Sequence, residues 1–123
     1  MILVDTSVWI DHFRRTDPAL VDALEAGEVL MHPFILGELA CGNLHRREET
    51  LELLTNLPTA PVATDAEALV FIERGSLMGR GVGYIDVHLL ASVALTATGR
   101  LWTRDRRLAA LAAELDLSSP EGR

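Results

Sequence analysis

The chain has no lysine. All 11 of its basic residues are arginine, set against 18 acids for a net charge of −7. Nucleic-acid partners usually select basic proteins, so the charge alone argues against such a partner. Arginine, however, offers phosphate a planar fork of donors, and two divalent ions would offset four of the seven excess negative charges. Without lysine, no G-x-x-x-x-G-K phosphate loop can exist. A single cysteine, Cys41, excludes an internal disulfide and any zinc site needing several thiolates, which makes the reducing cytoplasm the expected compartment. Large amphipathic aromatics are scarce: Trp9, Trp102 and Tyr84. The opening residues lack a basic region followed by a long apolar core, so no signal peptide is expected. No apolar run is long enough to span a bilayer, and repeats, linkers and low-complexity segments are missing.

What is present fits one domain over residues 1–123, with 49% hydrophobic residues to fill a core. Apolar runs alternate with amphipathic stretches. Strands are expected at 2–5, 29–32, 101–103, weakly at 60–63, and briefly at 117–118. Helices are expected at 7–15 capped by Thr6 or Ser7, at 19–26 behind Asp17-Pro18, at 33–41, at 46–56, from Thr64 to about 78, at 84–98 and at 106–115. Thr64 and Glu67 have capping-box spacing. Gly79-Arg80-Gly81-Val82-Gly83 reads as a flexible joint, and residues 120–123 should fray. This alternation predicts an α/β fold, a parallel sheet covered by helices on both faces.

Four acids stand where chemistry would be. Asp5 follows the apolar run Ile2-Leu3-Val4, and ligands of open parallel sheets bind outside the carboxyl ends of strands. Glu38 lies in the apolar stretch Phe34-Ile35-Leu36-Gly37-Glu38-Leu39-Ala40-Cys41, where helical spacing sets it on one face with Phe34, Ile35 and Cys41; an acid on such an apolar stripe needs a pair or a metal. Asp86 opens a nearly apolar helix after the glycine-rich joint. Asp105 follows the strand at 101–103. Each has an ordinary alternative: Asp5 and Asp105 as helix caps, Glu38 in an ion pair, Asp86 as a first-turn acid favoured by the helix dipole. Four convergent carboxylates would repel one another unless a cation neutralised them, which points to a divalent metal and phosphate chemistry.

Thr103, at a strand's carboxyl end, could orient a carboxylate or a metal-bound water. Arg104, Arg106 and Arg107 flank Asp105 and are candidates for phosphate contact. His12, His32, His45 and His88 lack metal-ligand spacing; His88 is expected to face the core, and the others to be surface or satisfied groups. Ser7 lacks a nucleophile elbow and a histidine partner.

Val4-Asp5-Thr6-Ser7-Val8-Trp9-Ile10, the early helical acid Glu38, Tyr84-Ile85-Asp86-Val87-His88-Leu89-Leu90-Ala91, and Thr103-Arg104-Asp105 with Leu108 together resemble the PIN domain, and most closely its VapC toxins. The resemblance covers essentially the whole chain and fills all four acidic positions. It implies a three-layer α/β/α sandwich with a parallel four- to five-stranded sheet. It also implies endoribonuclease activity dependent on Mg²⁺ or Mn²⁺, with Asp5 and Asp86 as the main metal-facing ligands. Glu38 and Asp105 would complete the shell, and Thr6 and Thr103 would lie behind it. A homodimer and an inhibitory VapB-type antitoxin are further implications. Two other readings stay open from the residues themselves. One is a phosphoryl-transfer or phosphoacceptor domain with Asp5 phosphorylated, although such domains commonly use a lysine beside that acid. The other is a non-catalytic RNA-binding module.

Overall fold

The computed structural model describes residues 1–120. Three short strands, β1 (Ile2–Val4), β2 (Val29–Leu30) and β3 (Arg100–Trp102), form a parallel sheet in the order β2-β1-β3. Ile2 stands opposite Val29 on one side and Arg100 on the other; Val4 pairs with Trp102. Successive strand side chains point to opposite faces, and Ile2, Leu3 and Val4 are all buried. Both faces of the sheet are therefore covered.

Seven helices among the described residues provide that cover: α1 (Thr6–Arg14), α2 (Pro18–Glu25), α3 (Pro33–Ala40), α4 (Arg47–Thr55), α5 (Asp65–Gly75), α6 (Tyr84–Ala94) and α7 (Arg106–Glu114). Right-handed crossovers put α1–α4 over one face and α5–α7 over the other. The packing agrees, with α1 on α3, α3 on α4, and α5 on α6. The core draws Leu20 and Ile35 from the first group, Leu89, Leu90, Leu108 and Leu111 from the second, and Leu3, Val4 and Leu101 from the sheet. No helix among the described residues is long and apolar enough to cross a membrane.

Two single-residue bridges widen the sheet. Thr59 pairs in parallel with Met31 beyond β2, and Ser118 with Leu101 beyond β3. The expected four to five strands are thus three ladder strands plus two one-residue edges. The weak strand expected at 60–63 sits earlier, at Thr59, because Pro61 and its successors leave the sheet edge. The first strand ends at Val4, not Asp5, and the third is Arg100–Trp102 rather than 101–103. Helix α6 stops at Ala94, four residues before its expected end. The chain turns there at Thr98 (φ 52°) and Gly99, where an added Cβ would lie 2.6 Å from the Val93 carbonyl. Of the residues expected to fray, 120–123, Pro120 is described and 121–123 lie outside the described residues.

Local signals hold where they were strongest. The Asp17 carboxylate accepts the Ala19 and Leu20 N–H groups at the start of α2. Both halves of the Thr64–Glu67 capping box form at α5. The glycine-rich segment before α6 is anchored to α7. Arg80 Nη2 donates to both carboxylate oxygens of Glu114 (2.8 and 2.7 Å), and Arg107 lies over Gly81. Gly79 and Gly81 take φ of +72° and +80°, a left-handed conformation disfavoured for other residues. Gly79→Ala should therefore cost about 1 kcal/mol of unfolding free energy, and Gly81→Ala up to about 2, since its methyl would also displace Arg107. Urea titration measures both; a Gly81→Ala protein as stable as the parent would contradict this.

Candidate active site

The sheet's order reverses at β1: one crossover leads to β2, the next back across to β3. The crevice at the carboxyl ends of β1 and β3 is the switch point where such sheets bind ligands. Asp5 sits there. The sequence from Ile2 to Val4 is apolar because it is buried on both faces, and the first polar side chain after it emerges at the strand's end.

Asp5 takes the N-cap position of α1 by backbone, but its side chain caps nothing. It is only 8% exposed. Its Oδ2 accepts two hydrogen bonds, from Ser7 Oγ (2.8 Å) and from Thr103 Oγ1 (2.8 Å). Each hydroxyl in turn accepts a backbone N–H: Arg104 donates to Ser7 Oγ (3.0 Å) and Asp105 to Thr103 Oγ1 (3.1 Å). Both hydroxyl protons are thereby directed at Oδ2. Among the described residues, Oδ1 is the oxygen left for a ligand.

The remaining three acids are held more loosely. Glu38, on α3, is exposed rather than buried on an apolar stripe. Its Oε1 accepts a hydrogen bond from Thr6 Oγ1 (3.0 Å), which links α3 to the first turn of α1. Asp86 lies in the first turn of α6 and reaches back to the Gly83 N–H over a long 3.4 Å. Asp105 caps α7, its Oδ1 accepting from Leu108 N–H (3.0 Å). The ordinary alternatives are met at Asp105, which caps α7, and at Asp86, which stands in the first turn of α6, but Asp5 makes no side-chain cap.

One electrostatic fact joins the four. Burial pushes the Asp86 carboxyl above its ordinary range, and the charges of Asp5, Asp105 and Glu38 push it further; the Gly83 N–H acts the other way. Asp86 therefore feels all three other acids. Among the described residues, no three histidine, cysteine, aspartate or glutamate side chains stand close enough to hold an ion as they are. The donor set of hard carboxylate oxygens suits Mg²⁺ or Mn²⁺ and not a thiolate-seeking metal.

The three candidate phosphate contacts have different fates. The Arg104 guanidinium is engaged by Asp11 (Nη1–Oδ2 3.2 Å) and Asp17 (Nη2–Oδ2 2.5 Å). Arg107 covers Gly81, and Arg106 is exposed. From sequence, Ser7 and Asp17 read only as helix-start residues, and Asp11 carries no reading. A hydroxyl two residues after a strand-ending acid can bond back to it, and that local pattern was the available signal for Ser7. Nothing in sequence order pairs Asp11 or Asp17 with Arg104.

A groove of about 380 Å³ runs beside Glu38 between α1 and α3, lined by Ile10, Phe13, Leu39 and Leu44. His88, as expected, is buried; its Nε2 bonds Asp65 (3.1 Å), which also accepts the Tyr84 hydroxyl (2.8 Å).

Comparison with known proteins adds two findings. The sequence pattern of the PIN domain matches residues 2–114. Ribonuclease VapC32 from Mycobacterium tuberculosis, in strains CDC 1551/Oshkosh and ATCC 25618/H37Rv, is 49% identical over 121 residues, covering 98% of this chain and 98% of the relative.

Proposed function

The chain belongs to the PIN domain family, and from that premise we propose that it is a divalent-metal-dependent endoribonuclease, the toxin half of a VapBC-type toxin–antitoxin pair. What carries the reading is the shared electrostatics of Asp5, Glu38, Asp86 and Asp105, in a chain half identical to a ribonuclease over nearly its whole length.

Asp5 Oδ1 and Asp86 would hold Mg²⁺ or Mn²⁺, with Glu38 and Asp105 completing the shell directly or through water. A bound divalent ion would supply Lewis acidity toward the scissile phosphate and toward an attacking water. The chain's own residues do the positioning. Ser7 and Thr103 hold the Asp5 carboxylate in one rotamer, aiming Oδ1 outward. Thr6 steadies Glu38 across the α1–α3 contact. Asp105 keeps one oxygen for the α7 cap, so only the other is available. Attack by water on the phosphorus leaves a 5′-phosphate and a 3′-hydroxyl. The phosphoacceptor reading is weaker, because the guanidinium of Arg104, whose backbone N–H reaches Ser7 beside Asp5, is already engaged by two carboxylates.

The same proposal includes a VapB-type antitoxin and the cytoplasm as its compartment. The apolar groove beside Glu38 suits an antitoxin segment carrying apolar side chains and one basic group. A homodimer would cover the exposed Leu69, Val70 and Leu95 of the α5–α6 face.

The test is incubation of the purified chain with structured RNA in Mg²⁺ or Mn²⁺, with and without EDTA, followed by end mapping. Cleavage that leaves a 5′-phosphate and stops in EDTA is expected. Undiminished cleavage in EDTA, or none with either metal, would contradict the proposal.

A further inference from the structure

Arg104 lies between Thr103 and Asp105 in the loop from β3 to α7, and it touches the opposite side of the site through three separate bonds. Its N–H donates to Ser7 Oγ (3.0 Å); its guanidinium bridges Asp11 on α1 and Asp17 at the corner between α1 and α2. Asp17 is itself immobilised, because its other oxygen caps α2 through the Ala19 and Leu20 N–H groups. The neighbours of Arg104 complete the seam: Thr103 bonds Asp5, and the Asp105 N–H bonds Thr103.

Two carboxylates around one guanidinium leave no net positive charge to offer a phosphate. A substrate phosphate would have to displace Asp11 or Asp17 first. The guanidinium is about two-fifths exposed, so each ion pair alone is weak. Together with the backbone bond, however, they fix the direction of the loop that carries Asp105.

We propose that Arg104 is a positioning residue: clamped by Asp11 and Asp17, it holds the 103–105 loop against α1 so that Asp105 and Asp5 face the same crevice. The inference rests on the nuclease reading and assigns Arg104 a job other than phosphate contact.

The full chain tests it through R104A, R104K, the D11N/D17N double variant and the R104A/D11N/D17N triple variant, assayed for Mg²⁺-dependent RNA cleavage at two salt concentrations. Asn at 17 preserves the α2 cap while removing the charge. R104A should lower kcat about 10- to 100-fold, the scale typical of groups that orient metal ligands. KM and the salt dependence should stay near the parent values. D11N/D17N should lower kcat in the same direction, the triple variant should be no worse than R104A, and R104K should recover only part, since an ammonium cannot fork to both acids. A phosphate contact behaves differently: R104A would raise KM, reduce the salt slope by about one and spare kcat, while D11N/D17N kept the parent kcat. That pattern would overturn the proposal.

Amide hydrogen exchange at Arg104 and Asp105 reads the clamp without any activity. Exchange about tenfold faster or more in both R104A and D11N/D17N supports it; unchanged exchange overturns it. A parent protein that cuts no RNA, with exchange nonetheless accelerated in the variants, would sink the nuclease reading and leave the clamp standing.

Discussion

Replacing Asp86 by asparagine is expected to abolish RNA cleavage and, at the same time, to make the ion-free protein harder to unfold. The two effects share one cause. Burial and the neighbouring acids raise the folded-state pKa of Asp86 above its unfolded value. A raised carboxyl contributes stability that is present below the unfolded pKa and is lost as pH rises through the folded pKa. At pH 7 the charged Asp86 is therefore a net burden on the folded state, and asparagine, nearly the same shape, lifts it. Cleavage falls because, on the proposed nuclease reading, Asp86 would supply a principal metal-facing oxygen, which asparagine weakens. A Lewis acid contributes several kcal/mol to such a transition state, so the loss should be about 10²- to 10³-fold or more. Asp5→Asn should lose cleavage comparably, with the fold retained. Thermal unfolding in EDTA reports stability, and labelled RNA reports cutting. An Asp86→Asn protein that melts lower than the parent, or that cuts normally, would contradict the account.

Acid should destabilise the protein through His32, well before most carboxylates are protonated. His32 is fully buried at the start of α3. Its Nδ1 accepts the Phe34 N–H (3.0 Å), and Nε2 meets Ser92 Oγ at 3.2 Å. A nitrogen that accepts cannot also carry the proton, so the ring is neutral with Nε2 donating to Ser92. Burial, aided by nearby His88, lowers the pKa from 6.5 to about 4. In the unfolded chain the ring protonates near 6.5, so between about pH 6.5 and 4 the unfolded state binds the extra proton. Stability contributed by the neutral ring is complete above that window and is lost as pH falls through it, amounting to about 3 kcal/mol. His32→Asn keeps an N-cap acceptor and removes the titration. Urea unfolding from pH 7 to 4 should show the parent losing about 3 kcal/mol more than the variant across the window. Parallel curves would refute the assignment.

Much of the site was legible because it obeys local rules. An apolar tripeptide that must be buried on both faces marks the end of β1, and the acid after it lands at the sheet's switch point whatever the helices do. Thr103 was legible for the same reason. The helix starts at Asp17 and Thr64 were legible because capping is decided within four residues. The sheet's edges were not: Thr59 and Ser118 each join by a single bridge, and a single residue has no periodicity to read. Glu38 was misjudged as lying on a buried stripe, because helical spacing places it beside Ile35 but does not reveal which side of α3 meets α1. Arg104 could not be assigned, because its partners, Asp11 and Asp17, lie far from it in sequence and only the fold brings them together.

The central claim is that four acids form one electrostatic unit. It is tested most directly by following the Asp86 side-chain carboxyl by NMR through a pH titration, without metal, with Mg²⁺, and in Asp5→Asn. The account predicts a midpoint above the ordinary aspartate value in the metal-free parent, and a lower one both in Asp5→Asn and with Mg²⁺ present. An ordinary midpoint, indifferent to both changes, would contradict it.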